Sequence, residues 1–243
     1  ASGGASVGQY GPIVHFGATV GVWIKRFVSS RLSHDIYLGC GVAAAISAGF
    51  NAPIAGVIFA HEAILRHFSM RAIAPITVAS ISASTLGNYW FPNTAALDIE
   101  SVVPSLTEVV PTLIVLAPVF SLVAILFMLS LRQASEVAGK LRLSPTKLLF
   151  LGATICGLVG VWIPQILGLG ISSINHMIAG DFTLTLLATV LVAKILMTAL
   201  CLGCGLPGGM FSPALFIGVA TGALAGQILT LLGFADIASI ISV

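Results

Sequence analysis

Charge is what this sequence lacks. Ten Lys or Arg and eight Asp or Glu in 243 residues make 7% charged positions, against about 25% in a soluble domain. So few charges cannot cover a water-facing surface of this size, and the formal net charge of +2 excludes an electrostatic grip on nucleic acid. The opening "ASGGASVGQYGP" has neither methionine nor a basic start, so no signal peptide is visible and further residues are expected upstream. Cysteine is sparse: Cys40, Cys156, Cys201 and Cys204 all fall in apolar stretches. Cys201 and Cys204 form a C-x-x-C, but no second pair or nearby histidine completes a zinc site. The thiols are therefore expected to pack as small hydrophobes. No metal or other cofactor is expected.

What the sequence has instead is apolar length. Hydrophobic residues make up 58% of the chain and mean hydropathy is +1.10. Apolar spans fall at 12–24, 37–65, 72–91, 107–131, 146–168, 183–203 and 211–234, several of them reaching the roughly 20 residues that cross a bilayer. These spans predict an all-α, multi-pass membrane protein, in contact with lipid and placed in the cell (plasma or inner) membrane. Basic loops mark the cytoplasmic side. Lys25, Arg26 and Arg31, then Arg66 and Arg71, then Arg132, Lys140, Arg142 and Lys147 put loops 25–35, 66–71 and 132–147 inside. Asp98, Glu100 and Glu108 put 92–108 outside.

Two spans are broken. "FNAPIAG" interrupts 37–65 at Asn51 and Pro53, and "GCGLPGGMFSP" separates the last two spans. Irregular backbone at membrane depth persists only where it is buried in protein or lines a cavity. An internal repeat surrounds the breaks. Gly8, Pro12, Gly17 and Gly21 share the spacing G-x3-P-x4-G-x3-G with Gly209, Pro213, Gly218 and Gly222. Corresponding broken segments in two halves point to a transport site near the midplane.

Each repeat sets proline in the first helical turn, where its missing N–H is no loss. The residues around it then present backbone N–H groups at the positive end of the helix dipole, a geometry that binds anions. Only Glu62 and Lys194 carry charge inside the spans, and intramembrane charges are functional candidates. Glu62 lies close to Arg66, so an ion pair competes with proton handling; Lys194 is expected to face a carbonyl or a water-filled vestibule. "HEAILRH", His61 to His67, fails as a zinc-protease motif because Leu65 stands where the second histidine is required. No nucleophile, acid pair or metal set supports an enzyme.

Three stretches carry a resemblance to the CLC chloride channels and proton-coupled chloride exchangers. "GQYGPIVHFG" resembles the family's G-[KR]-E-G-P motif. "GVAAAISAGFNAPIAGVIFAHE" resembles its A-A-x-x-A-A-F-x-A-P-x-x-G-x-x-F-x-x-E segment, and "GLPGGMFSPALFIGVATG" its G-x-F-x-P motif. The resemblance implies a CLC-like inverted-repeat bundle of tilted and broken transmembrane helices, forming a homodimer with one anion pore per subunit. It implies a single transmembrane domain over 1–243, incomplete at both ends, with part of the first repeat and a linker helix in 1–131 and part of the second in 132–243. The family's serine-bearing G-S-G-I-P loop is expected upstream of residue 1, and its inner-gate tyrosine beyond Val243.

By position, the backbone amides of Tyr10, Gly11, Met210, Phe211 and Ser212 would line the anion sites, with Gln9 at the outer mouth. Tyr10 replaces the family's gating glutamate, Gln9 its basic neighbour, and Ala63 the exchangers' inner glutamate, while Glu62 keeps the preceding acid. A phenol of pKa about 10 cannot carry protons as that carboxylate does. The expectation is passive conduction of chloride or a similar small anion, with Tyr10 as the gate position. The alternatives are a proton-coupled exchanger using Glu62, with His61, as a non-standard proton station, and a non-conducting binding subunit.

Overall fold

The breaks foreseen in the sequence are where the helices stop. This computed structural model describes residues 4–28, 32–91 and 106–231, the side chains of 106–109 excepted. The chain divides into two compact units, one made of residues 10–96 and the other of 1–9 with 97–243.

In the first, α1 (Tyr10–Lys25) and α4 (Met70–Trp90) pack on α2 (His34–Phe50), and the short α3 (Pro53–Phe59) runs into a π-helical turn, Ala60–Leu65. Glycine lets α1 and α2 touch backbone to backbone. A Cβ on Gly17 would strike the Gly41 carbonyl, and one on Gly21 the Tyr37 carbonyl, the close small-residue packing that membrane helices favour. The span expected at 37–65 is thus three pieces. Asn51 ends α2 in the left-handed region, with φ of 52°, and Pro53 opens α3. The freed polar groups are tied to α4: the hydroxyl of Ser84 and the amide of Asn88 donate to Asn51 Oδ1 at 2.7 and 2.8 Å, and Ser80 Oγ donates to the Pro53 carbonyl at 2.7 Å. Such a break holds in an apolar medium because its polar groups are satisfied.

The second unit is built around α8 (Leu184–Gly203), which packs against α5 (Leu106–Lys140), α6 (Pro145–Trp162) and α9 (Phe211–Leu231). Its main core joins Ile166, Ile174, Met177, Leu187, Val190 and Phe216. Two expectations need correcting here. Residues 132–140 are not loop but the last turns of α5, because helix-forming residues continue the chain and Arg132 pairs with Glu136 one turn on, at 3.0 Å. The span expected at 146–168 stops at Trp162, ahead of Pro164, and a 3₁₀ turn (Pro164–Ile166) leads to the short α7, Ile171–Ile178. The sequence "ISSINHMI" is too short and too polar for a hydropathy reading to mark it.

Among the described residues four helices are long and apolar enough to cross a membrane: Val110–Lys140, Pro145–Trp162, Leu184–Gly203 and Phe211–Leu231. Their outer faces carry exposed leucine, isoleucine and valine, for example Leu113, Ile114, Val115 and Leu122 on α5. Such faces require lipid or further protein as their solvent. Asp98 and Glu100 of the acidic segment, and Arg31, lie outside the described residues.

Candidate functional site

The segment that leads into α1 is held by the second unit, not by its own helix. Gly8 donates its N–H to the Gly209 carbonyl at 2.8 Å, and Gly209 donates back to Gly8 at 2.7 Å, an isolated antiparallel bridge. Val7 beside it is fully buried against Cys156 and Cys201. One residue earlier, Ser6 Oγ and Thr198 Oγ1 share a hydrogen bond of 3.3 Å, both side chains buried. Two residues past the bridge on one side begins α1, and two residues past it on the other begins α9. The two repeat motifs foreseen in the sequence therefore share one backbone tie.

At the start of α9, Met210 and Phe211 are more than half exposed, whereas Ser212 is buried. The first hydrogen bond of the ladder runs from Ala214 N–H to the Met210 carbonyl at 2.9 Å. Pro213 has no N–H to leave unpaired, and neither α9 nor α1 has an acidic residue in its first turn. The positive end of each dipole is thus not neutralised by a carboxylate of its own helix. Ser212 Oγ is buried and has no hydrogen-bond partner among the described residues.

Tyr10, at the start of α1, is packed within the first unit. Its ring stacks on Phe50 with centroids 3.8 Å apart, and its hydroxyl donates to the Gly49 carbonyl at 3.4 Å. The phenol thus lies on the last turn of α2, a partner that no sequence motif signalled. Gln9 and Gly11, on either side, are half-buried.

Glu62 and His61 share the π-helical turn but differ in surroundings. Glu62 is exposed and makes no ion pair with Arg66 among the described residues. His61 is fully buried; its Nδ1 lies 3.0 Å from the Val57 carbonyl, and its ring stacks on Phe68. A carbonyl only accepts, so Nδ1 carries the proton and Nε2, which has no partner among the described residues, presents a lone pair. π-Turns often mark functional positions.

Lys194 faces carbonyls, one of the two surroundings foreseen. It is fully buried and donates to the carbonyls of Ile166 and Gly168 at 2.9 and 3.0 Å, with its ammonium 4.9 Å from the Phe216 ring centroid. It therefore closes the irregular stretch between α6 and α7. The four cysteines are free thiols, three of them buried, and no cluster of metal-ligating side chains occurs among the described residues.

Broken apolar helices, paired glycine-proline helix starts and a buried lysine capping carbonyls define a multi-pass helical membrane protein. The family described as "Voltage gated chloride channel" matches residues 1–243, and the chain belongs to it. Among curated relatives, it is 28% identical over 232 residues to a "Putative chloride channel protein ClcB-like" of Ralstonia nicotianae, covering 92% of this chain and 53% of that protein. It is also 28% identical to an "H(+)/Cl(-) exchange transporter ClcA" of Yersinia pestis, covering 92% and 48%, and 25% identical to a "Voltage-gated ClC-type chloride channel ClcB" of Escherichia coli, covering 94% and 55%. The chain thus spans about half the length of the curated relatives it matches. Two solved structures share its fold: a CLC-type fluoride/proton antiporter, with TM-score 0.79, 24% identity and coverage of 98% of this chain and 60% of that one, and a slow cyanobacterial Cl-/H+ antiporter, with TM-score 0.83, 20% identity and coverage of 99% and 58%.

Proposed function

We propose that this chain forms part of the anion pathway of a membrane transporter that moves chloride or a similar small anion across the cell (plasma or inner) membrane in exchange for protons. The observation that carries the anion pathway is the start of α9 at the Gly8–Gly209 bridge, where the helix has no acid in its first turn. Donors of this kind hold an anion without a full opposing charge, which keeps binding weak enough for release. Backbone amides from Tyr10 to Gly11 and from Met210 to Ser212 are the anion ligands in this reading, with Gln9 at the mouth.

Coupling departs from the passive conduction expected from the sequence. The relatives named exchangers favour it, and so does His61, a buried imidazole whose Nε2 has no hydrogen-bond partner among the described residues. Exposed Glu62 then passes protons to and from His61. Passive conduction is the second reading, and Tyr10 is what favours it, since a phenol stands where the family's gating carboxylate would be. Of the relatives named channels, one is as similar as the exchanger, at 28%, and another is 25% identical. A homodimer belongs to both readings.

The test uses the complete protein in chloride-loaded liposomes, with chloride efflux and external pH recorded together after a potassium ionophore is added. Efflux with stoichiometric proton uptake supports exchange. Fast efflux with no proton movement overturns it in favour of the passive conduit.

A further inference from the structure

Several hydroxyls on the helices of this protein donate to the carbonyl one turn back, and Ser212 does not. Thr221 and Thr230 on the same helix donate to the carbonyls one turn back, Ile217 and Gly226, at 2.7 and 3.0 Å. Ser130 and Ser135 on α5 do the same. Ser212 is the second residue of α9, and the residue one turn back, Gly208, lies outside the helix. Its hydroxyl is buried, with the residue 4% exposed, and has no partner among the described residues. A buried hydroxyl left in that state carries an uncompensated desolvation cost, whereas alanine at the same position would carry no such penalty.

The hydroxyl is placed beside the bridge. A Cβ placed on Gly8 would lie 3.0 Å from Ser212 Oγ and 3.2 Å from Ser212 N. The hydroxyl oxygen and the amide nitrogen of Ser212 therefore both lie next to Gly8, as adjacent donor groups. The third atom beside that point, the Gly209 carbonyl oxygen, accepts from the Gly8 N–H at 2.8 Å. Two donors side by side, one unpartnered and both at the positive end of a 21-residue helix, are suited to an acceptor that carries charge.

We propose that the Ser212 hydroxyl donates to the transported anion and biases this protein toward charge-dense halides over diffuse polyatomic anions. This rests on the anion-pathway reading above and adds a side-chain ligand to the backbone amides. A single directional O–H strengthens with the charge density of its acceptor, so chloride gains more from it than nitrate or thiocyanate does.

The experiment is a pair of titrations on the complete purified protein in detergent, with chloride replacing gluconate as the probe, read by calorimetry and by thermal unfolding. Nitrate and thiocyanate are then titrated in the same way. In chloride-free buffer Ser212→Ala should be at least as stable as the wild type, because an orphaned hydroxyl is removed. Its chloride affinity should fall about tenfold, as for loss of one hydrogen bond to a charged partner, with a smaller fall for nitrate and thiocyanate. Thr221→Ala, which removes a hydroxyl already bonded to Ile217, should leave chloride affinity unchanged. Wild-type chloride binding with undiminished affinity in Ser212→Ala would overturn the proposal, as would lost stability of that variant in chloride-free buffer. Wild-type protein that neither binds nor moves chloride would sink the anion-pathway reading itself, and this proposal with it.

Discussion

Gly8 and Gly209 exchange both backbone hydrogen bonds, and Gly8 has no room for a side chain. A Cβ on Gly8 would lie 2.9 Å from the Gly209 carbonyl and 3.0 Å from Ser212 Oγ, and one on Gly208 would collide with Val7. The contact on Gly8 is to backbone, so it cannot be relieved by a rotamer change. The bridge also anchors the last residues before α1 to the turn before α9.

Gly8→Ala should therefore cost about 1–3 kcal/mol, the range for overpacking, and should depress anion flux by shifting Ser212. Gly218→Ala is the control from the second repeat, because a Cβ there meets nothing within 4 Å among the described residues. Alanine in a helix interior gains up to about 1 kcal/mol over glycine. Thermal unfolding of the two variants in detergent should thus move in opposite directions.

Lys194 carries the second prediction. Its ammonium donates to the carbonyls of Ile166 and Gly168, and it is fully buried with no acid paired to it among the described residues. Burying an ammonium is expensive, but the chain has already turned irregular around it, and two carbonyls depend on its protons. Lys194→Met keeps the length and removes the donor. It should destabilise the complete protein by about 1–3 kcal/mol, through carbonyls left under-satisfied. Unchanged thermal stability would mean that those carbonyls have other donors.

The breaks and the repeat are legible in the sequence because they rest on residues with unusual backbone chemistry. Asn51 accepts φ of 52°, Pro53 and Pro213 open helices, and Gly8 and Gly209 admit a backbone bridge. The paired position of the two G-x3-P motifs is readable; that the first glycines of both bond to each other is not. The repeats also differ where they look alike. Gly17 and Gly21 pack on α2, while Gly218 faces open space among the described residues. What spacing does not carry is side-chain direction. Nothing in "GQYG" says that Tyr10 lies on Phe50, or in "HEA" that His61 is buried while Glu62 is exposed. Adjacent helical residues lie about 100° apart, so which of the two is buried depends on how the π-turn at Ala60–Leu65 is packed, and spacing does not carry that. Residues 132–140 look like loop by charge alone, because the charges that begin at Arg132 mark where α5 leaves its apolar stretch rather than where it ends.

His61 separates the two functional readings. His61→Phe keeps a flat ring against Phe68 and removes both nitrogens. If the buried imidazole holds the exchanged proton, this variant should keep chloride efflux but lose proton uptake in the paired liposome recording. Glu62→Gln should then slow proton uptake without abolishing it, since an exposed side chain can be bypassed by water. Unaltered coupling in His61→Phe would remove His61 from the proton path.

Tyr10 gives the last prediction, and here two substitutions pull apart. The hydroxyl bond to Gly49 is long, at 3.4 Å, so Tyr10→Phe should cost no more than about 0.5 kcal/mol. With the stack on Phe50 preserved, flux should stay near the wild-type level; a marked change would show that the hydroxyl acts on the anion. Tyr10→Glu puts a carboxylate at the start of α1, where the helix dipole favours negative charge. Ionised, it competes with chloride for that same positive end; protonated, it does not. Chloride efflux through Tyr10→Glu should therefore be low at neutral pH and rise as pH falls toward the carboxylate range, about 4–5. The wild type has no carboxylate at this position and should lack that limb. Efflux from liposomes at a series of pH values compares the two directly, and a flat profile for Tyr10→Glu would take this end of α1 out of the anion path.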